Sequence, residues 1–242
     1  MKIWAYGDSF VAGDQDIKGR VDAIPEYQDY NRYNVSFSSV LAKKLNCKLT
    51  NRAVSGCSNF SQIDKLIEDS EHIESDDIVL FGITSFYRDR PKISVYFKDL
   101  IPKTQGPALG DRELLLNGDP SVIGSYDIFY TLSIIDSIEK IKNVKIIKFN
   151  AFHNFIDDCN IKHLMKFNNF ISLHQPSNTL INLLDNTWGK IDGTNFVDHS
   201  NWAPPEKYRK NFTRHSHPSI IGHKKIANWL HKVLKHDYNY SI

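Results

Sequence analysis

The segment Asp77-Ile78-Val79-Leu80-Phe81-Gly82 constrains the fold most tightly: it is apolar without alternation, β-branched and aromatic, and an acidic turn precedes it. A strand patterned this way is buried on both faces, as inside a parallel sheet covered by helices on either side. The rest of the chain suits that setting. Ile3 to Tyr6 is a short apolar run ending at Gly7-Asp8-Ser9, and Ser36 to Leu45 carries Phe37, Val40, Leu41 and Leu45 at helical spacing. Lys48 to Val54 predicts a second strand ending at Ser55-Gly56, and from Asn59 a helix follows with Phe60, Ile63, Leu66 and Ile67 on one face. Beyond a Gly/Pro-rich stretch from Pro102 to Gly124, Leu132, Ile135 and Ile138 predict a helix and Val144 to Phe149 a strand. A last helical pattern from Ser219 carries Ile226, Trp229, Leu230, Val233 and Leu234. Strands alternating with helices predict an α/β fold, a three-layer α/β/α sandwich with a mainly parallel sheet.

The chain has 242 residues, 41% hydrophobic and 24% charged, an ordinary globular balance that suits one domain spanning 1–242. Two segments exceed a minimal unit of this kind, 86–125 and 151–212, and read as insertions around a site. The net charge is +2, from 30 basic and 28 acidic residues, so no global field favours nucleic acid or an anionic membrane. Cys47, Cys57 and Cys159 are odd in number and lie in no metal-ligand or redox spacing, which argues against a disulfide framework. The apolar start reaches Gly7-Asp8-Ser9 without room for a signal peptide, and no apolar run is long enough for a membrane span, so a cytoplasmic origin is expected.

In parallel α/β sheets ligands bind beyond the carboxyl ends of the strands, where loops meet the N-termini of the following helices. That gathers Gly7 to Gly13, Ser55 to Asn59 and Gly82 to Arg90. Ser9 directly follows a strand, where a hydroxyl can project from the sheet edge and backbone amides can face an oxyanion. A serine nucleophile needs a base, usually an imidazole oriented by a third group. His217 is the best placed of ten histidines, because Pro218-Ser219 ends an extended segment and opens a helix at the same edge.

Gly7-Asp8-Ser9-Phe10, Asn51-Arg52-Ala53-Val54-Ser55-Gly56, Gly82-Ile83-Thr84-Ser85 and His217-Pro218-Ser219-Ile220-Ile221-Gly222-His223 together resemble the ordered blocks of the SGNH/GDSL hydrolases. The resemblance runs through almost the whole chain. It implies an esterase acting through an acyl-enzyme, with the oxyanion held by the amides of the nucleophile and of the second-block glycine and by a third-block asparagine side chain. Carried over, these are Ser9, Gly56 and Thr84. A threonine at position 84 offers one hydroxyl hydrogen where an asparagine amide offers two. The acid that precedes the family's histidine by three residues is here Arg214, which cannot stabilise an imidazolium. Either a Ser-His dyad operates, its ring held by a carbonyl or water, or Asp192 or Asp198 reaches in from the upstream loop.

Blander readings stand beside these. Ser9 alone is an ordinary turn residue and His217 an ordinary helix-start residue. His215 and His217 form a His-x-His pair suited to a metal, yet no further ligand spacing accompanies them, so no metal is expected. Asn59 lines the pocket or caps the following helix. Arg88 and Arg90 bind an anionic substrate group or pair with surface acids. The aromatics Trp188, Phe196, Trp202, Tyr208 and Phe212 pack a long loop or stack on sugar rings. The resulting expectation is a cofactor-free serine hydrolase of carboxylic esters, O-acetyl groups on carbohydrate among them, with a small-molecule or glycan substrate. The alternative is an inactive SGNH-fold binding or structural module, for example of viral origin.

Overall fold

The computed structural model describes residues 1–13, 35–84, 120–151, 180–184, 210–212 and 217–236. Its centre is a four-stranded sheet of β1 (Lys2–Tyr6), β2 (Lys48–Asn51), β3 (Ile78–Ile83) and β4 (Lys145–Asn150), in the order β2-β1-β3-β4. All three pairings are parallel, with Ile3 opposite Leu49 and Ile78, and Ile78 opposite Lys145. Every residue of β3 is buried, as its unbroken apolar run predicts, and each such side chain taken from water contributes roughly 1.5–3 kcal/mol.

Alternating side chains on the strands divide the core in two. Ile3 and Ala5 face one layer, where they meet α2 (Phe37–Lys44) and α6 (Ile220–His236); Trp4 and Tyr6 face the other, with α3 (Asn59–Asp69) and α4 (Pro120–Lys142). The chain is therefore a three-layer α/β/α sandwich. A four-residue α1 (Ser9–Ala12) follows β1, a 3₁₀ turn (Ser70–His72) follows α3, and α5 (Leu180–Leu184) joins the α2/α6 layer.

Three sequence expectations shift. The second strand ends at Asn51, although Arg52 and Val54 still donate to the carbonyls of Ala5 and Gly7 at 2.8 and 3.0 Å. Helix α4 starts at Pro120, inside the stretch expected to be irregular; proline tolerates the first helical turn because its missing N–H has no partner there anyway. Ile67 is half exposed rather than buried with Ile63 and Leu66.

The α3/α4 side also contains a charge that periodicity does not announce. Lys148 of β4 is fully buried, and its Nζ donates to Asp136 and to Glu139 Oε2, the latter at 2.8 Å. The other Glu139 oxygen accepts from the Ile146 amide at 3.0 Å, so the ion cluster bolts α4 to β4.

Candidate active site

The sheet order sets β1 beside β3 with the helices that follow them in opposite layers, the switch point at which parallel α/β sheets take up ligands beyond the strands' carboxyl ends. Ser9 and Thr84 stand there. Asp8 caps α1: its Oδ1 accepts from Phe10 N at 3.0 Å, and its carbonyl accepts from Val11 and Ala12. Ser9 is therefore the first helical residue, nearly buried, and among the described residues its amide meets no acceptor.

The nucleophile loop is stitched to the next two loops. Gly7 N donates to Gln62 Oε1 of α3 at 2.9 Å, while the Gly7 carbonyl accepts from Val54 N and from Cys57 Sγ at 3.0 and 3.1 Å. Gly7 has φ +147, and a Cβ there would stand 2.4 Å from Val11 Cγ2 and 3.0 Å from the Gly82 carbonyl, so the close approach of β1 and β3 ends admits only glycine. Gly56 has φ +72 in an exposed turn, the left-handed region where other side chains are strained. Its amide also meets no acceptor among the described residues. The neighbouring Cys57 thiol is pushed up to about 11, by burial first and by the Asp8 charge second, which keeps it protonated and poorly nucleophilic near neutral pH.

Thr84 makes a contact that its motif position does not announce. Its Oγ1 donates its single hydrogen to Asp8 Oδ2 at 2.7 Å, and both residues are buried. In this geometry the hydroxyl braces the carboxylate that caps the nucleophile helix instead of offering a hydrogen to an oxyanion. Asn59 is not the cap of α3. Ser58 is the cap, accepting from Ser61 N at 3.2 Å, and Asn59 is 1% exposed with its amide clamped on the Thr84 backbone. Asn59 Oδ1 accepts from Thr84 N at 2.9 Å, and its Nδ2 donates to the Thr84 carbonyl at 3.2 Å. The Asp8–Thr84 contact spans 76 residues of sequence, so nothing local announces it.

His217 is brought against Phe10 of α1 from the far end of the chain. Ser219 caps α6, accepting from Gly222 N at 3.2 Å, and donates its own hydroxyl to the Lys210 carbonyl at 2.6 Å. Ser219 N donates to the Asn211 carbonyl, Phe212 bridges to Pro218, and Asn211 Nδ2 donates to the Leu184 carbonyl. This frame holds the half-buried imidazole of His217 against the Phe10 ring, with centroids 5.6 Å apart, one residue along from Ser9. A second histidine, His223, is fully buried one turn into α6; its Nδ1 accepts from Phe37 N at 3.2 Å. Burial first, and the nearby His217 second, bring its pKa from 6.5 down to about 3, so it stays neutral.

Asp192, Asp198, Arg88, Arg214 and His215 lie outside the described residues. No group of three His, Cys, Asp or Glu suited to a metal occurs among the described residues. No described helix is long and apolar enough to cross a membrane.

No protein-family model and no curated protein sequence matches this chain. Solved structures do. A lipolytic protein of the G-D-S-L family from Desulfitobacterium hafniense aligns over 96% of this chain and 99% of its own, at TM-score 0.53 and 12% identity. The esterase EstA from Pseudoalteromonas sp. aligns over 99% of both chains at TM-score 0.50 and 12% identity. A GDSL-like lipase from Parabacteroides merdae aligns over 97% of this chain and 95% of its own, at TM-score 0.50 and 14% identity. These likenesses give the chain the fold of the SGNH/GDSL esterases, as a divergent example of it.

Proposed function

We propose that this SGNH/GDSL-fold chain is a serine hydrolase of carboxylic esters, with Ser9 as nucleophile and His217 as general base. The observation that carries the reading is the meeting of the two chain ends: Ser9 starts α1 at the mouth of the central strands, and its neighbour Phe10 packs against the His217 ring. In the reaction Ser9 Oγ attacks the ester carbonyl while His217 takes its proton. The oxyanion rests on the amides of Ser9 and Gly56, whose hydrogens are both uncommitted among the described residues. Collapse of the tetrahedral adduct expels the alcohol, which receives the proton from His217, and water then releases the acid from Ser9 by the reverse relay.

Thr84 acts on this site through Asp8, whose carboxylate it braces. With Arg214 in the acid's place, the imidazole is oriented by a carbonyl or water, or by Asp192 or Asp198. The chemistry uses no cofactor. Short acyl esters and O-acetylated glycans are the substrates to assay. Loss of hydrolysis in both Ser9→Ala and His217→Ala, with folding retained, is expected; unchanged turnover in Ser9→Ala overturns the reading.

One observation favours a second reading, an inactive binding module. Hydrogen bonding of the Thr84 hydroxyl to Asp8 leaves two backbone amides to hold the oxyanion, and loss of one donor from such a site typically costs ~10²- to 10³-fold in rate. The same Ser9→Ala comparison separates the two.

A further inference from the structure

Gly7 is gripped from both sides by side chains that have no part in the proton relay. Val54 to Cys57 forms a tight turn, closed by Cys57 N donating to the Val54 carbonyl at 3.2 Å, with Gly56 third in it at φ +72. A positive φ at that place turns the Ser55–Gly56 peptide over relative to the commonest turn, and so sets where the Gly56 amide points. Both ends of the turn fasten on one atom: the Gly7 carbonyl accepts from Val54 N at 3.0 Å and from Cys57 Sγ at 3.1 Å. From α3, Gln62 holds the same residue, its Oε1 accepting from Gly7 N at 2.9 Å. Gly7 stands two residues before Ser9, and Cys57 directly follows Gly56.

Gln62 is a buried amide only half satisfied. Its bond from Gly7 N fixes its orientation and leaves Nε2 beside the Cys57 sulfur, a weak acceptor, without a hydrogen-bond partner among the described residues. An unmet donor in the interior costs free energy that an apolar side chain of the same length avoids, so what the amide contributes is its hold on Gly7. Cys57 can donate only while protonated. Burial first and the Asp8 charge second push its thiol up to about 11, which keeps the hydrogen on sulfur at neutral pH.

We infer, on the serine-hydrolase reading above, that Cys57 and Gln62 are positioning residues that set the Ser9 and Gly56 amides at the spacing one oxyanion needs. The two amides belong to different loops, and Gly7 carries hydrogen bonds from one loop to the other. Both donors serve one oxygen only if they are held in place before the charge develops. Neither Cys57 nor Gln62 touches the ester; each acts through Gly7.

Steady-state ester hydrolysis, paired with inhibition by a trifluoromethyl ketone analogue of the ester, tests this. Ser9 Oγ adds to the ketone carbon, its proton passes to His217, and the carbonyl oxygen becomes an anion on the same two amides with no leaving group to expel. Cys57→Ala removes the thiol hydrogen while Val54 N still holds the Gly7 carbonyl, so its melt is expected to stay close to the parent's. Its kcat is expected to fall about tenfold with KM little changed, less than the ~10²-fold or more of a donor lost outright. Ketone affinity is expected to weaken by the same factor as kcat/KM, and Cys57→Ser, which restores a donor, to recover most of both. Gln62→Met strips Gly7 N of its acceptor and is expected to show the larger loss; if it does not fold, the two Cys57 variants decide. An active parent whose Cys57→Ala turns over and binds the ketone as the parent does overturns the inference, as does a Cys57→Ser no better than Cys57→Ala, or a rate loss without weaker ketone binding; each leaves Ser9 as nucleophile. A parent with neither Ser9-dependent hydrolysis nor a ketone adduct overturns the serine-hydrolase reading, and this inference with it.

Discussion

Replacing Thr84 by valine separates two roles for one hydroxyl. The substitution keeps the shape of the side chain and removes only the donor that reaches Asp8 Oδ2 at 2.7 Å. Thr84 is 2% exposed and Asp8 fully buried, so water cannot replace that donor without opening the loop. A hydrogen bond to a charged group contributes about 1.5–3 kcal/mol, and leaving a buried carboxylate short of a partner costs on that order. Since 1 kcal/mol moves the melting temperature of a domain this size by about 2–4 °C, Thr84→Val is expected to melt roughly 3–12 °C lower. Thr84→Ser, which retains the hydroxyl, is expected to melt close to the parent. Because the hydroxyl faces Asp8, the fall in kcat/KM at a permissive temperature should stay well under the ~10²-fold typical of a lost oxyanion donor. Calorimetry with ester hydrolysis on the three proteins measures both effects. An unchanged melt together with a rate loss of ~10²-fold or more would refute this reasoning and return the hydroxyl to the oxyanion.

Two further predictions follow from buried ionisable groups. Lys148→Met leaves Asp136 and Glu139 buried without their cation and is expected to cost about 3–5 kcal/mol in denaturant unfolding, with much of that recovered when Asp136→Asn and Glu139→Gln are added; a Lys148→Met protein as stable as the parent contradicts the bolt. His223 has a depressed pKa, about 3 folded against 6.5 unfolded, so below pH 6.5 the unfolded chain binds the extra proton. Its contribution to stability is complete above pH 6.5 and is lost as pH falls toward 3, by up to ~1.4 kcal/mol per pH unit. In urea titrations between pH 7 and pH 5, His223→Gln should flatten that slope, and identical slopes in both proteins count against it.

What the sequence discloses of this molecule is what periodicity can carry. Residues 78–83 read as a doubly buried strand because no polar residue interrupts them, and the helices at Phe37–Lys44 and Ile220–His236 read from their apolar spacing. Contacts between distant segments leave no such trace. Lys148 looks like any strand lysine until Asp136 and Glu139, on the preceding helix, come to face it. Thr84 reads as a degraded asparagine position until the fold brings Asp8 to its hydroxyl. Asn59 reads as a cap because asparagines often are, yet Ser58 occupies that place and frees Asn59 to clamp the third loop. Ser9 and His217 were legible as candidates from their motifs, whereas the ring contact between Phe10 and His217, and the Ser219 hydrogen bonds beside His217, arise only in three dimensions.

The most direct test of the central claim is covalent labelling by a fluorophosphonate, read by intact mass and peptide mapping. The account predicts one adduct per chain, on Ser9, absent in Ser9→Ala and strongly slowed in His217→Ala. A folded protein that takes up no probe, or takes it up equally well without Ser9, contradicts it.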